Sequence, residues 1–237
     1  MPDTVGFRIS VADMVAELNT RYEANRAYCK DYITEENADF SVSVSDSEIE
    51  TEMKAYPTPF SKQYCENICL YRAIAEKLPA YDRFVFHGAA VKAFDKGFIF
   101  TAPSGTGKTT HISLLMKHFG EYVSIINGDK PILSLADGDA RVYSTPWAGK
   151  ERWHTNTSAP LGGIIILKRG KENRIQKVSP ERCFDELMKQ VYIPKNGEMM
   201  LKTLDMLDKL AKRVDFYVLE CDISRAAAET SYKILSQ

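Results

Sequence analysis

The segment spanning residues 97–119 constrains the fold of this 237-residue chain more than any other. An apolar run at 97–101 leads into a loop that reads Ala-Pro-Ser-Gly-Thr-Gly-Lys-Thr-Thr, and an amphipathic stretch follows it. A strand, a Gly-rich loop of this spacing and a helix form the Walker A arrangement, in which loop and helix amides bind an anion. The sequence therefore predicts a P-loop that binds a nucleoside triphosphate.

Each residue type in this loop has a chemical task. We expect Lys108 to reach the β- and γ-phosphates of ATP and the Thr109 hydroxyl to bind Mg²⁺. The remaining cradle residues are Ser104, Gly105, Thr106, Gly107 and Thr110. The consensus opens with glycine where this chain has Ala102, but the spacing to Lys108 is kept, so we expect the loop to close. A glycine-rich turn with a chance lysine is the alternative interpretation.

The composition places the chain among soluble proteins, with 44% hydrophobic and 27% charged residues. No apolar run has the length of a membrane span, and the N-terminus lacks the apolar core of a signal peptide. The five cysteines are odd in number and scattered, which favours reduced thiols. We therefore expect a cytoplasmic protein without a membrane partner and without a zinc site.

The net charge of −1 is unevenly distributed along the chain. Residues 1–80 carry 14 acidic and 8 basic side chains, whereas residues 81–237 carry 18 acidic and 23 basic ones. A mildly basic second part suits a polyanionic nucleotide, but it lacks the basic clusters of a nucleic-acid-binding protein. The charge pattern thus predicts a nucleotide ligand and no nucleic-acid partner.

The patterning predicts two unequal parts. Strands at 7–11 and 38–44 and a helix at 61–77 indicate a small N-terminal α+β lobe, residues 1–80. The acidic, proline-containing stretch at 46–59 is the candidate seam to a P-loop kinase-like domain, residues 81–237. A single domain that includes the lobe is the alternative.

The second part alternates hairpins with helices, which predicts an α/β fold with a mixed sheet. The apolar run at 163–167 is continuous enough for a central strand buried on both faces. The other predicted strands are 84–91, 97–101, 122–126, 132–135, 141–144, 174–178 and 216–219, and the predicted helices are 111–119, 179–190, 198–212 and 224–235.

A P-loop needs a partner for the metal and the nucleophile, and Asp129 is the candidate. It lies 21 residues after Lys108, just past an apolar strand, where one helix and one turn return the chain to the loop. A carboxylate there can hold Mg²⁺ or accept a proton from an attacking hydroxyl. A turn-capping aspartate in Asn127-Gly128-Asp129 is the alternative.

Three further residues are candidates for the site. We expect His87, on the strand beside the P-loop strand, to lie near the γ-phosphate, although a structural histidine fits equally well. The loop at 145–152 combines a Pro-Trp turn with two cations, and Lys150 or Arg152 would neutralise phosphate charge. A structural corner with solvated charges is the alternative for this loop. Lys168-Arg169 is a further cationic pair at the end of the central strand.

Through His87-Gly88, the loop Ser104-Gly105-Thr106-Gly107-Lys108-Thr109 and the strand leading to Asp129, the chain resembles the catalytic domain of HPr kinase/phosphorylase. The fold of that family is related to phosphoenolpyruvate carboxykinase. The chain is most similar to shorter HPr-kinase-like proteins found with systems that modify ribosomally made peptides. The resemblance covers residues 84–237 and implies phosphoryl transfer from ATP, with Mg²⁺, to a serine hydroxyl of a peptide or protein. The implied site residues are Lys108, Thr109, His87 and Asp129.

The chain departs from this family pattern at three places. Gly128 stands where the first residue of an Asp-Asp pair is found, and Ala102 replaces the first loop glycine. A Glu-Ile-Arg-Gly-Leu-Gly segment is replaced by the Thr-Pro-Trp loop at 145–147. The first departure argues against phosphorylase chemistry, and the third argues against a phosphocarrier protein as substrate.

Three functions are consistent with these residues. The first is an ATP- and Mg²⁺-dependent kinase of a serine in a peptide or protein. The second is a kinase of a small hydroxylated metabolite, which a lobe that closes off a small pocket would favour. The third is a non-catalytic ATP-binding module, which the single carboxylate at Asp129 favours. The sequence does not distinguish ATP from GTP, and it leaves the oligomeric state open, a homo-oligomer included.

Overall fold

A computed structural model describes residues 5–58 and 60–237. Within them the strands are β1 (Val5–Val11), β2 (Met14–Thr20), β3 (Phe40–Ser43), β4 (Arg83–Val85), β5 (Ala89–Ala93), β6 (Lys96–Thr101), β7 (Val123–Asn127), β8 (Ile132–Ser134), β9 (Arg141–Tyr143), β10 (Ser158–Arg169), β11 (Arg174–Val178) and β12 (Asp215–Cys221). The helices are α1 (Glu23–Tyr28), α2 (Asp46–Lys54), α3 (Lys62–Lys77), α4 (Lys108–Phe119), α5 (Phe184–Met188), α6 (Gly197–Arg213) and α7 (Arg225–Leu235).

A large mixed sheet forms the centre of the molecule. Its strands follow the order β4-β8-β9-β10-β6-β5-β7, and β12 pairs with β10 and with β11. The central strand β10 runs parallel to β6 and β12, whereas β5 runs antiparallel to both β6 and β7. The predicted α/β fold with a mixed sheet is confirmed.

The strand β10 shows how the sheet is covered on both faces. Ile164 and Ile166 contribute to a core that includes Leu207 and Leu210 of α6. The alternate residues, Ile165 and Leu167, contribute to a core that includes α4 and α7. Because successive strand side chains point to opposite faces, this continuous apolar run has helices to bury it on each side.

The direction of β5 determines where the candidate site residues meet. Since β5 is antiparallel to β6 and β7, the start of β5 lies at the same sheet edge as the ends of the other two strands. His87 lies two residues before β5, the Gly-rich loop follows β6, and Asp129 lies two residues after β7. Three segments that are distant in sequence therefore converge at one edge.

The N-terminal region forms a three-stranded sheet, β1-β2-β3, packed against α3. The predicted strand that starts at Phe7 is a hairpin of β1 and β2, with Ala12 and Asp13 at φ values of 52° and 56° in its tight turn. Its core cluster includes Leu70 of α3 and extends to Val85 and Trp147. The region thus shares a hydrophobic core with the later part, and the boundary at residue 80 stays a prediction.

Two predicted elements differ from the structure. The strand expected at 84–91 is interrupted at residues 86–88, because the chain leaves its pairing with β8 at Val85 and joins β6 at Ala89. His87 therefore lies in the break and not on a strand. The helix expected at 179–190 is reduced to a 3₁₀ turn, Pro180–Arg182, followed by the short α5.

The stretch expected to be a seam, residues 46–59, contains α2, which packs against α3. Ser45 caps this helix and forms a capping box with Glu48. Pro59 lies outside the described residues. In the part of the chain that the structure describes, no helix is long and apolar enough to cross a membrane. The cytoplasmic location stays a prediction.

Candidate functional site

The Gly-rich loop joins β6 directly to α4 and leaves an open helix N-terminus. Gly105 and Gly107 have φ values of 79° and 120°, in the region that favours glycine, and a Cβ at either would meet nothing within 4 Å. These glycines are therefore required for the backbone path and not for space. No side chain caps α4 at Gly107, so the amides of its first turn are available to an anion.

The loop closes with alanine at position 102. Ala102 is buried in the core beneath the loop, and the Thr106 amide donates a hydrogen bond to the Pro103 carbonyl at 3.2 Å. Arg169 at the end of β10 donates to the carbonyls of Thr106 and Gly105, at 3.0 and 2.5 Å. Because these two carbonyls are held on the Arg169 side, Arg169 fixes the loop without occupying its amide face.

Asp129 lies among nitrogen atoms of His87 and of two lysines. Its Oδ1 atom is 3.1 Å from His87 Nε2 and 4.0 Å from Lys108 Nζ, and its Oδ2 atom is 2.8 Å from Lys130 Nζ. Lys108 Nζ also lies 3.1 Å from His87 Nε2. The structure thus brings together three residues singled out in the sequence, together with Lys130, which sequence reasoning missed.

The turn that presents Asp129 is held by Asn127, a second residue that sequence reasoning missed as a positioning group. The fully buried Asn127 side chain accepts hydrogen bonds from the amides of Asp129 and Lys130, at 2.9 and 2.8 Å. It also donates to the Thr145 carbonyl at 2.9 Å. Asn-Gly-Asp was the available signal, since asparagine commonly forms such turns.

The environment of Asp129 keeps it ionised. Burial alone would raise the pKa of this carboxyl, but the hydrogen bond from His87 and the Lys130 ammonium outweigh burial and hold the pKa well below its usual range. Burial lowers the pKa of Lys108, and the neighbouring Asp129 opposes that effect. Such a carboxylate stays ionised and can accept a hydrogen bond, but its low basicity makes it a poor acceptor of a whole proton.

Gly128 and the loop at 145–153 compete for the same space. A Cβ atom at Gly128 would lie 2.9 Å from the Ala148 carbonyl oxygen and 3.3 Å from the Trp153 Cβ. The Gly128 amide also donates to the Trp153 carbonyl at 2.8 Å. A side chain at position 128 would therefore require the backbone at 148–153 to move.

The loop at 145–152 places Lys150 and Arg152 in different surroundings. Gly149, at a φ of 78°, lies against Asp129, and a Cβ there would be 3.2 Å from the Asp129 Cβ. Lys150 follows at the edge of the site and is exposed. The Arg152 guanidinium instead lies 3.7 Å from the centre of the Tyr28 ring and donates to the Tyr28 carbonyl.

Two cavities meet at Asp129. The loop cavity, about 430 Å³, is lined by the Gly-rich loop with Ser104, Thr109 and Thr110, and by His87, Lys108 and Glu151. The tyrosine cavity, about 550 Å³, is lined by Tyr28, Tyr56, Tyr64, Tyr71 and Trp147. Asp129, Gly149 and Lys150 line both. Arg152 lines the tyrosine cavity and is not part of the loop cavity's lining.

A third cavity, the α4 cavity, opens on the other side of the Gly-rich loop. It has a volume of about 300 Å³ and is lined by Thr106, Thr110, Leu114, Leu167, Asp222 and Ile223. The Ile223 side chain is 77% exposed at its edge. This surface provides apolar contact and polar groups next to the first turn of α4.

Residues able to hold a metal ion are few around the loop. No group of three or more His, Cys, Asp or Glu side chains suited to a metal occurs among residues 5–58 and 60–237. The oxygen donors that line the loop cavity include the hydroxyls of Ser104, Thr109 and Thr110 and the carboxylates of Asp129 and Glu151. Thr109 and Asp129 are the two that the sequence singled out for a metal. This pair fits Mg²⁺, which takes one or two protein oxygens and completes its shell with phosphate oxygens and water.

Solved structures include proteins of similar fold to this chain, among them an HPr(Ser) kinase/phosphatase. The HPr(Ser) kinase/phosphatase from Coxiella burnetii is 8% identical in sequence, with a TM-score of 0.39, over 64% of this chain and 88% of that chain. No protein-family model and no curated protein match the chain. With this identity and TM-score, the similarity carries no conclusion about the activity of the chain.

Proposed function

We propose that this protein is a Mg²⁺-dependent phosphotransferase that moves the γ-phosphoryl group of ATP to a hydroxyl. The observation that carries the proposal is the position of Asp129. Its carboxylate lies 4.0 Å from the Lys108 ammonium and lines both the loop cavity and the tyrosine cavity. Phosphoryl transfer requires a phosphate donor and a hydroxyl acceptor to meet at one charged group, and this arrangement suits that need.

The direction of the bound nucleotide follows from the lining of the cavities. The γ-phosphate would lie at the Lys108 ammonium and the His87 ring, which are 3.1 Å apart. The other phosphates would lie along the amides of the Gly-rich loop and the first turn of α4. The nucleoside would then extend toward the α4 cavity, where Leu114 and Ile223 offer apolar contact.

Several residues would have separate roles in the transfer of the phosphoryl group. Asp129 would accept a hydrogen bond from the acceptor hydroxyl and orient its oxygen toward the γ-phosphorus. Lys108 and His87 would stabilise the charge on the transferring group, and Lys150 at the edge of both cavities would assist them. Bound Mg²⁺, held by Thr109 and Asp129, would neutralise charge on the phosphate oxygens.

A non-catalytic nucleotide-binding module is a second candidate, favoured by one observation. Both Asp129 oxygens already have polar neighbours, the His87 ring at Oδ1 and the Lys130 ammonium at Oδ2. If ATP binding leaves these pairs in place, the acceptor hydroxyl has no open carboxylate oxygen. ATP would then act as a switch for a partner and not as a substrate.

The test uses γ-labelled ATP and an extract of the source cells, with wild-type protein and Asp129→Asn. We expect label transfer to fall by about 10²–10⁴-fold in the variant, because the group that orients the acceptor is weakened. ATP should still raise the Tm, since Lys108 and the loop amides remain. The matched control is Asp137→Asn, an exposed aspartate in the turn between β8 and β9.

The outcomes separate the candidates. Equal transfer by Asp129→Asn and wild type would contradict a role for Asp129 in the reaction. ATP-dependent stabilisation without label in any fraction of the wild-type reaction would support the non-catalytic module. Repeating the stabilisation series with GTP decides which base the α4 cavity prefers.

A further inference from the structure

The tyrosine cavity is assembled mostly by the N-terminal region, which nucleotide binding does not require. Tyr28 ends α1, Tyr56 follows α2, and Tyr64 and Tyr71 belong to α3. Trp147 of the loop at 145–152 completes the wall. A volume of about 550 Å³ lies within the usual range for small-molecule sites, about 300–1,000 Å³.

The walls of this cavity are largely aromatic. The Trp147 ring is buried, its Nε1 donates to Asn67 Oδ1 at 2.9 Å, and its centroid is 5.5 Å from that of Tyr71. At the rim, the ring centroids of Tyr56 and Phe60, and of Phe60 and Tyr64, are each separated by 4.8 Å. Fixed aromatic faces at an opening favour a ligand with a planar, apolar body.

The cavity also offers hydroxyl donors. The hydroxyls of Tyr64 and Tyr71 make no hydrogen bond to another residue in the described part of the chain, although both residues line the cavity. Burial raises the pKa of Tyr71, and the charge of Asp129 raises it further, so this hydroxyl keeps its proton. Such groups can donate to an acceptor oxygen of a ligand.

The charges of the lining are unbalanced. Arg72 is paired with Glu52, and Lys130 is paired with Asp129. Lys150 and Arg152 also line the cavity, and neither forms an ion pair with a described residue. The Arg152 guanidinium lies over the Tyr28 ring in a cation–π arrangement. Two uncompensated cations favour a ligand that carries negative charge.

We propose that the tyrosine cavity binds the phosphoryl acceptor, and that this acceptor is a small hydroxylated molecule with an aromatic body and a carboxylate. This inference rests on the proposed function and names its substrate class. The acceptor oxygen forms a bond to the γ-phosphorus while the bond between that phosphorus and the bridging oxygen of ADP breaks. Asp129 orients the hydroxyl by accepting its hydrogen bond, the hydroxyl proton is released to solvent, and the products are ADP and a phosphate monoester.

The first experiment measures binding with three related probes. They are 3-phenyllactate, lactate without the ring and 3-phenyllactamide without the charge. Since the chain has two tryptophans, the Trp153→Phe variant isolates the fluorescence of Trp147. We expect 3-phenyllactate to bind about tenfold or more tightly than either analogue, because stacking and ion pairing both contribute. Equal affinity for all three probes would overturn the proposal.

Variants locate the binding to this cavity. In Tyr71→Leu we expect the affinity for 3-phenyllactate to fall by about tenfold, since one aromatic wall and its hydroxyl are lost. In Arg152→Gln we expect a loss of about fivefold for 3-phenyllactate and none for 3-phenyllactamide. Tyr122→Leu, on an exposed tyrosine stacked with Phe94, is the matched control. Unchanged affinity in both cavity variants would also overturn the proposal.

Failure of this inference is distinguishable from failure of the proposed function. If ADP forms in an Asp129-dependent manner but the label enters only peptides, the acceptor class is wrong and the phosphotransferase remains. If 3-phenyllactate binds as expected but no acceptor yields ADP, the cavity binds this ligand class and the phosphotransferase is wrong.

Discussion

The loop cavity and the tyrosine cavity share Asp129 but are built in different ways. The loop cavity depends on one continuous segment, β6, the Gly-rich loop and α4, whose path is set by Gly105 and Gly107. The tyrosine cavity is assembled from α1, α3 and the loop at 145–152. One cavity is encoded locally, and the other exists only after the N-terminal region has docked.

A network of buried polar contacts stabilises the walls of the tyrosine cavity. Glu66 is fully buried and accepts a hydrogen bond from Asn25 Nδ2 at 2.8 Å. Asn67 in turn donates to Asn25 Oδ1 at 3.3 Å and accepts from Trp147 Nε1 at 2.9 Å. An unpartnered buried charge is costly. This network of contacts therefore makes the tyrosine cavity sensitive to substitutions far from it.

The largest expected change in stability comes from removing Glu66, the fully buried member of this network. Glu66→Leu removes the partner of the Arg21 side chain and main chain and of Thr20. We expect the free energy of unfolding to fall by about 3–5 kcal/mol, as for other broken buried pairs. Urea unfolding followed by circular dichroism measures it, with Glu23→Gln in an exposed ion pair as control. A loss below about 1 kcal/mol would show that this network of buried polar contacts contributes little to stability.

The next effect isolates the loop cavity. Lys108→Ala should abolish stabilisation by ATP, which in wild type amounts to about 2.7 kcal/mol at about 100 times the Kd. Lys117→Ala, an exposed lysine in the last turn of the same helix, is the control and should be stabilised like wild type. Thermal melts with and without Mg·ATP measure it. A normal ATP shift in Lys108→Ala would place the nucleotide elsewhere.

A change of pH should alter the free energy of unfolding by a comparable amount, through a buried histidine of α4. His111 is buried in α4, 2.9 Å from the Ser231 hydroxyl, and burial lowers its pKa to about 4. Its neutral form is favoured in the folded state, so the stability is complete above about pH 6.5 and falls as the pH drops to about 4. The loss should reach about 3 kcal/mol by urea unfolding across that range. His111→Gln should flatten this dependence, and an unchanged pH profile would contradict the assignment.

The smallest effect compares two glycines with similar backbone angles. Gly138 and Gly149 have φ values of 87° and 78°, but only at Gly149 would a Cβ contact Asp129. Alanine at either position should cost about 1–2 kcal/mol of stability from backbone strain. Label transfer should decrease only in Gly149→Ala, because its Cβ presses on the Asp129 side chain. Equal transfer in the two variants would show that Asp129 tolerates the shift.

The sequence predicted those parts of the molecule whose signals are local. The hairpin of β8 and β9, the central strand β10 and α6 follow from periodicity and turn residues, and all three are present. The placement of Asp129 beside Lys108 was predictable because a strand, a helix and a turn fix the return of the chain. The break at His87 was not, since the apolar run at 84–91 continues through the point where strand pairing changes.

The tyrosine cavity could not be predicted from the sequence, for a different reason. Tyr28, Tyr71 and Trp147 are far apart in the chain, and each is typical of an ordinary core position. Lys130 was missed because neighbouring residues in an extended strand point to opposite sides, whereas the turn at Asn127 allows Asp129 and Lys130 to pair. Only the docked N-terminal region reveals that these residues share one cavity.

The close approach of Gly128 to the Ala148 carbonyl restricts how sequences of this kind can change. A side chain at position 128 would press on the Ala148 carbonyl and on Trp153, whose carbonyl also accepts a hydrogen bond from the Gly128 amide at 2.8 Å. Aspartate can therefore replace Gly128 only if the backbone at 148–153 shifts with it. The cost of a second carboxylate beside Asp129 is in this sense epistatic, because it depends on the residues that follow the Thr-Pro-Trp segment.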